Sequence, residues 1–245
     1  MRLDAHHSFS PRYPLPTLDT ILSRNRFDGS ILVTGPPGGP SVEPPEVRGL
    51  PSFVRGVVIE ADTIDPLLLV QYQRDARFLG LCWRPSGPAA GLPEYLGELQ
   101  RRNLTLDVWK GLALVPRIAE RFPSLRMAIV HLGSPVIDGE GDWGAWALAM
   151  KAAAQIPHVC CKLSGLIGIA PAPWRAQDLR PYVQYALTVF GPERLMFGSG
   201  WPACLPEHTW KETLAAFTQS IGARPMEVRE QLLGETAARF YGVTR

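Results

Sequence analysis

The sequence predicts an α/β protein, a (β/α)8 TIM barrel built as a single domain over residues 1–245, on three observations. Short apolar, β-branched runs recur eight times along the chain. Stretches with apolar residues spaced three and four apart lie between them, as in an amphipathic helix. The runs begin on the order of 30 residues apart, the length of one strand, one loop and one helix. That alternation marks βα units rather than an antiparallel sheet. An open doubly wound sheet has the same periodicity, but eight repeats of this size favour closure. The length, 245 residues, suits a barrel as one domain.

The first run, Arg2–His6, is followed by a helical pattern over Pro16–Asn25 and a second run over Ser30–Thr34. Residues 35–52 break the rhythm. Pro36, Pro37, Pro40, Pro44, Pro45 and Pro51 each fix φ and remove a backbone donor, so this stretch reads as a long loop. The glycine-rich GPPGGP at its start lacks the residues that complete a nucleotide cradle. The third run, Arg55–Glu60, leads to a helix over Ile64–Asp75, and the fourth, Phe78–Trp83, to one over Pro93–Arg102. The fifth, Leu104–Trp109, precedes Leu112–Phe122, where Val115, Ile118, Ala119 and Phe122 mark the apolar stripe. Arg126–His131 is followed by Gly144–Gln155, Val159–Ser164 by Leu179–Phe190, and Arg194–Ser199 by Thr209–Ile221 and Met226–Leu233. The last segment, GETAARFYGV, reads as a short helix whose Phe240 and Tyr241 close the barrel bottom.

Composition excludes several classes. At 46% hydrophobic and 20% charged, the chain has the makings of a globular core rather than of a disordered segment. With 25 basic and 23 acidic residues, it offers no electrostatic case for nucleic acid or an anionic membrane as partner. No apolar run approaches the roughly 20 residues of a membrane span. The start, MRLDAHHSFS, lacks a signal-peptide layout, so a cytoplasmic location is expected. Cys82, Cys160, Cys161 and Cys204 form no CxxC pair and read as reduced thiols. The oligomeric state is not written in the sequence.

In parallel α/β folds ligands bind at the carboxyl ends of the strands. Those positions hold His6, His7 and Ser8; Thr34; Glu60; Trp83 and Arg84; Trp109; His131; Ser164; and Ser199, Gly200 and Trp201. A lone histidine at a strand end is more often structural than catalytic. Histidines converging from strands 1 and 6 point to a site. Lys162, inside the seventh run, reads at least as well as the partner of a barrel acid as it does as a catalytic amine. Cys160 and Cys161 read as core. His208 sits at a helix start and reads as solvated or capping.

Four phrases, LDAHHSF at Leu3–Phe9, RFPSLRMAIVHLGSP at Arg121–Pro135, PHVCCKLSGL at Pro157–Leu166 and RLMFGSGWP at Arg194–Pro202, resemble in order the signature segments of the amidohydrolase-related family. That branch of the amidohydrolase superfamily includes lactonases acting on 2-pyrone-4,6-dicarboxylate and on sugar lactones, and is related to a group of decarboxylases. The likeness spans nearly the whole chain and implies a (β/α)8 hydrolase that opens a small lactone. It also implies site residues. His6 and His131 polarise the carbonyl, His7, Glu60 or solvent hydroxide stands in as base, and Arg84, Trp109, Ser164 and Trp201 hold the substrate.

The chain departs from the family at site positions. Where the family reads Asp-x-His-x-His, Ser8 replaces the second histidine, and His7 faces inward only if a bulge turns it. Val130 and Ser134 replace the acid and lysine that flank the family's strand 6 histidine. Gly200 stands where the family's general-base aspartate is expected, and Cys82 where an arginine is expected. A divalent metal such as zinc, with His6 and His131 as ligands, is possible but disfavoured, because the imidazoles lack a carboxylate partner. The expected partner is a small-molecule substrate or ligand. The alternative is a catalytically degenerate barrel, a pseudoenzyme, that binds a small acidic or sugar-like ligand or a protein partner without turnover. Decarboxylation, which needs a metal and a strand 8 acid, is disfavoured.

Overall fold

The computed structural model describes residues 1–10, 12–33, 47, 49–61, 64–85, 91–137, 141–205 and 207–244. Its strands are β1 (Leu3–His7), β2 (Gly29–Val33), β3 (Val54–Glu60), β4 (Phe78–Trp83), β5 (Thr105–Val108), β6 (Met127–Ile129), β7 (Val159–Ser164) and β8 (Leu195–Gly198). Each pairs in parallel with the next, in the order β1 to β8. The ring is joined where β8 runs out beside β1. There the Gly200 amide donates to the His6 carbonyl at 2.8 Å, the Ser8 amide donates to the Trp201 carbonyl at 2.6 Å, and His7 bridges Trp201. The strands are buried on both faces, which is why β2 and β4 read as largely apolar runs without alternation.

Around them lie α1 (Leu15–Arg24), α2 (Pro66–Tyr72), α3 (Leu96–Arg101), α4 (Val115–Arg121), α5 (Trp143–Ala154), α6 (Leu166–Ile169), α7 (Ala176–Phe190), α8 (Trp210–Ile221), α9 (Met226–Glu230) and α10 (Thr236–Tyr241). The two apolar layers follow from strand alternation. Leu32, Val57, Leu81 and Leu106 face the helices. Leu3, Ala5, Ile31, Val58, Ala128 and Met196 face the axis, where Phe240 and Tyr241 of α10 pack as a floor. The Tyr241 hydroxyl donates to Asp107 at 2.7 Å, and Lys162 bonds the other Asp107 oxygen at 2.5 Å, so the lysine is paired with a barrel acid. The floor comes close because Gly234 has no side chain, since a Cβ there would lie 2.2 Å from the Leu3 nitrogen.

The structure corrects several expected boundaries. β6 stops at Ile129, and His131 opens a 3-10 turn, His131–Gly133, rather than ending a strand. β8 ends at Gly198, short of Ser199. α6, which periodicity did not mark, follows β7, and α7 begins at Ala176 rather than Leu179. The helical pattern expected to run to Leu233 gives way after Glu230 to a π-turn, Gln231–Glu235. Thr34, residues 35–46 of the proline-rich stretch and its GPPGGP phrase lie outside the described residues.

One irregularity positions the site. Along the β1–β2 ladder Asp4 faces Ser30 and His7 faces Leu32, three steps against two, so β1 carries a one-residue bulge. A single extra residue exchanges the faces of everything beyond it. Leu3 and Ala5 point to the axis before the bulge, and beyond it His6 and Ser8 reach the cavity at the mouth.

Candidate active site

A cavity of about 620 Å³ opens at the carboxyl ends of the strands. His6, from β1, and His131, from the turn after β6, meet there with ring centroids 4.6 Å apart. Trp109, just past β5, stands edge-on to both, 5.1 Å from His131 and 6.4 Å from His6. The Arg84 guanidinium lies over the Trp109 ring at 4.4 Å, a cation–π contact that fixes its charge at the rim. Lys110, Ser8, Ser134, Ser199, Cys204 and Thr213 also line the cavity, beside Gly200.

His131 is held in an unusual backbone. It, Leu132 and Ser134 have φ of 51°, 56° and 55°, left-handed values that non-glycine residues seldom adopt. Ser164, at the end of β7, fastens this turn. Its Oγ accepts the His131 amide at 3.3 Å and lies 2.9 Å from the ring Nδ1. The Trp146 indole donates to the Leu132 carbonyl at 3.0 Å. Gly165 follows with φ 59°, and a Cβ there would come within 2.7 Å of His131 Nδ1, so the ring's seat requires glycine.

Burial sets the charge of these groups. It pushes His6 well below the ordinary imidazole range, helped by the neighbouring His131 and Lys162. It lowers His131 to about 4, against the opposing hydrogen bond at Ser164. Both rings are therefore neutral at pH 7, each with one ring nitrogen left unprotonated. His6 Nδ1 is buried without a hydrogen-bond partner.

The expected site residues separate into two groups. His6, His131, Arg84 and Trp109 converge on the cavity. His7, Glu60, Ser164 and Trp201 do not line it. The bulge that was to turn His7 inward instead leaves it packed against Trp201, centroids 6.4 Å apart, with its pKa pushed down by burial to about 3. Trp201 is fully buried and is no wall for a ligand, while Ser164 orients His131 rather than facing the cavity. Glu60 ends β3 beside Cys82. Sequence reasoning passed over Asp4. Its carboxylate accepts the Ser199 amide at 2.7 Å, the His6 amide at 3.3 Å and the Trp210 indole at 3.1 Å, tying the bulge to the rim after β8. The signal was available, since Asp4 is the aspartate of the Asp-x-His phrase.

A tightly held zinc needs about four donors in tetrahedral array, at least three of them from the protein. No group of three or more histidine, cysteine, aspartate or glutamate side chains comes together to hold a metal among the described residues. Gly200 offers no side chain, and Asp107 is taken by Lys162 and Tyr241. Among the described residues the donor set does not fit a tightly bound zinc.

The structure is a parallel (β/α)8 barrel that brings two imidazoles together at its carboxyl rim. The chain belongs to the amidohydrolase family, whose profile matches residues 70–243. It is 30% identical over 213 residues to the uncharacterized protein y4mH of Sinorhizobium fredii, covering 78% of this chain and 71% of that protein. It is 42% identical over 129 residues to an L-fucono-1,5-lactonase of Burkholderia multivorans, covering 48% of this chain and 43% of that protein. An amidohydrolase of Burkholderia multivorans, solved with bound zinc, shares the fold with a TM-score of 0.82 at 24% identity, each chain covered in full. No helix among the described residues is long and apolar enough to cross a membrane.

Proposed function

We propose that this amidohydrolase opens a small lactone in the mouth cavity. The observation that carries the reading is the His6–His131 pair, 4.6 Å apart and held neutral, beneath Arg84 and Lys110. The likeness to an L-fucono-1,5-lactonase supports the reaction class. The Ser164 hydroxyl accepts the His131 amide and, in this reading, donates its own hydrogen to Nδ1. That tautomer keeps the proton on His131 Nε2 as a donor for the lactone carbonyl oxygen. Neutral His6 accepts a proton as water attacks the carbonyl carbon. The ring C–O bond then breaks, and His6 returns the proton to the leaving alkoxide, giving the hydroxy acid. Arg84, stacked on Trp109, holds a carboxylate or hydroxyl of the substrate.

In this reading Gly200 marks the lost strand 8 aspartate and Ser8 the lost second histidine, and base duty passes to His6. The lining holds no carboxylate among the described residues, which favours a second reading, a barrel that binds a small acidic or sugar-like molecule without turnover. One experiment separates them: hydrolysis of a panel of sugar 1,5-lactones and 2-pyrone dicarboxylate by the purified chain. The first reading expects turnover above background, lowered about 10²- to 10⁴-fold in His6→Ala and in His131→Ala. Saturable binding by calorimetry with no turnover on any member of the panel overturns it in favour of the second.

A further inference from the structure

A second cavity, about 370 Å³, lies at the opposite end of the barrel, between the starts of β6, β7 and β8 and the C-terminal α10. Its wall contains Arg126, Arg194, Arg239, His158 and a single carboxylate, Glu193. The guanidiniums are bound only to neutral carbonyls. Arg126 donates to Phe240 and Asn103, Arg194 to Phe190, Ala154 and Ile156, and Arg239 to Glu193. None of the three forms an ion pair among the described residues, so three positive charges face one negative charge. Arg126 and Arg194 are half-buried and Arg239 is exposed at the cavity's edge, and half-buried charge without a counterion is unfavourable and asks for a partner. Burial lowers the proton affinity of Arg126 accordingly. The same charges act on Cys160 beneath them, whose thiol is pushed up to about 12 by burial against the pull of Arg194, Arg239 and Arg126. His158 Nε2 is buried at this wall with no hydrogen-bond partner.

We infer that this N-terminal cavity binds a small oxyanion, a phosphate or carboxylate group, held by Arg126, Arg239 and the free nitrogen of His158. Guanidinium groups match both anions in charge and geometry. The ligand would join α10 to the starts of three strands, away from the mouth and independently of the lactone reading.

Calorimetry of the full chain with inorganic phosphate and with citrate, at constant ionic strength, tests this, and whichever probe binds identifies the source chemistry. Saturable binding is expected, weakened about tenfold by Arg239→Gln through loss of one charged hydrogen bond. Arg84→Gln, at the other end of the barrel, should leave the affinity unchanged. Glu193→Gln removes the one like charge and should tighten binding about fivefold. That gain is a readout that a misfolded variant cannot imitate, should Arg239→Gln prove unstable. No saturable binding of either probe overturns the proposal. So does binding abolished by Arg84→Gln while Arg239→Gln and Glu193→Gln leave it untouched.

Discussion

Ser164 illustrates how one hydroxyl serves both structure and chemistry. It is fully buried, and it satisfies the amide of a residue in left-handed backbone while lying 2.9 Å from Nδ1 of that residue's ring, the contact that sets the ring's tautomer in the proposed mechanism. Replacing it with alanine leaves the cavity volume nearly unchanged but frees the imidazole to rotate and removes the hydrogen-bond partner of Nδ1. A hydrogen bond of this kind is worth about 0.5–1.5 kcal/mol, and misorientation of the ring adds to that, so Ser164→Ala should lower kcat/KM for a lactone about tenfold. The loss belongs in kcat rather than KM, because the substrate-holding Arg84 and Trp109 are untouched. Steady-state kinetics on the variant, with circular dichroism to establish folding, check this, and an effect on KM alone would count against the tautomer argument.

At the scale of the element, β1 decides which imidazoles serve the site, and it does so through its bulge. Asp4 anchors that irregularity by collecting three N–H donors, including the rim amide of Ser199. Asparagine at this position offers one acceptor oxygen and turns an amide nitrogen toward a donor. Asp4→Asn should therefore cost about 1–3 kcal/mol for the group left unsatisfied, roughly 2–12 °C in Tm. It should also reduce catalysis, because His6 and the β8 rim lose a common support. Differential scanning calorimetry gives the first number, and an unchanged Tm would remove Asp4 from this role. The bulge also marks the limit of what the sequence discloses. Eight strands are legible because burial on both faces makes them largely apolar, and His6 and His131 are legible because strand ends are where such barrels bind ligands. Alternation already set His6 and Ser8 on one face and His7 on the other, but the bulge, which puts Leu3 and Ala5 on the axis behind them, has no side-chain signature. The left-handed turn at His131 is likewise invisible, since Leu132 and Ser134 are not residues that advertise positive φ. Trp201 was read from its position after β8, but packing against His7 and Tyr13 took it into the core.

For the whole molecule, the buried histidines couple folding to acidity. Burial lowers His6 well below its ordinary 6.5, His131 to about 4 and His7 to about 3. An imidazole depressed in the folded state costs nothing above pH 6.5, where both states are neutral. As pH falls below 6.5 the unfolded chain takes up protons that the folded chain refuses, and stability is lost until the folded pKa is passed. Three such groups give a slope approaching 4 kcal/mol per pH unit between about pH 5.5 and 4.5, enough to unfold a domain of ordinary stability of about 5–15 kcal/mol within a few units. Asp4 acts in the opposite sense. Burial raises its pKa, so its contribution is present below 3.8 and is lost as pH rises through the folded value, offsetting at most one proton within that window. Urea denaturation at pH 7, 5.5 and 4.5 measures the slope. His7→Gln removes one of the three groups without touching the cavity, and should reduce the slope by about 1.4 kcal/mol per pH unit. A variant as acid-sensitive as the parent would show that His7 is not held neutral, and that the barrel closes around it in some other charge state.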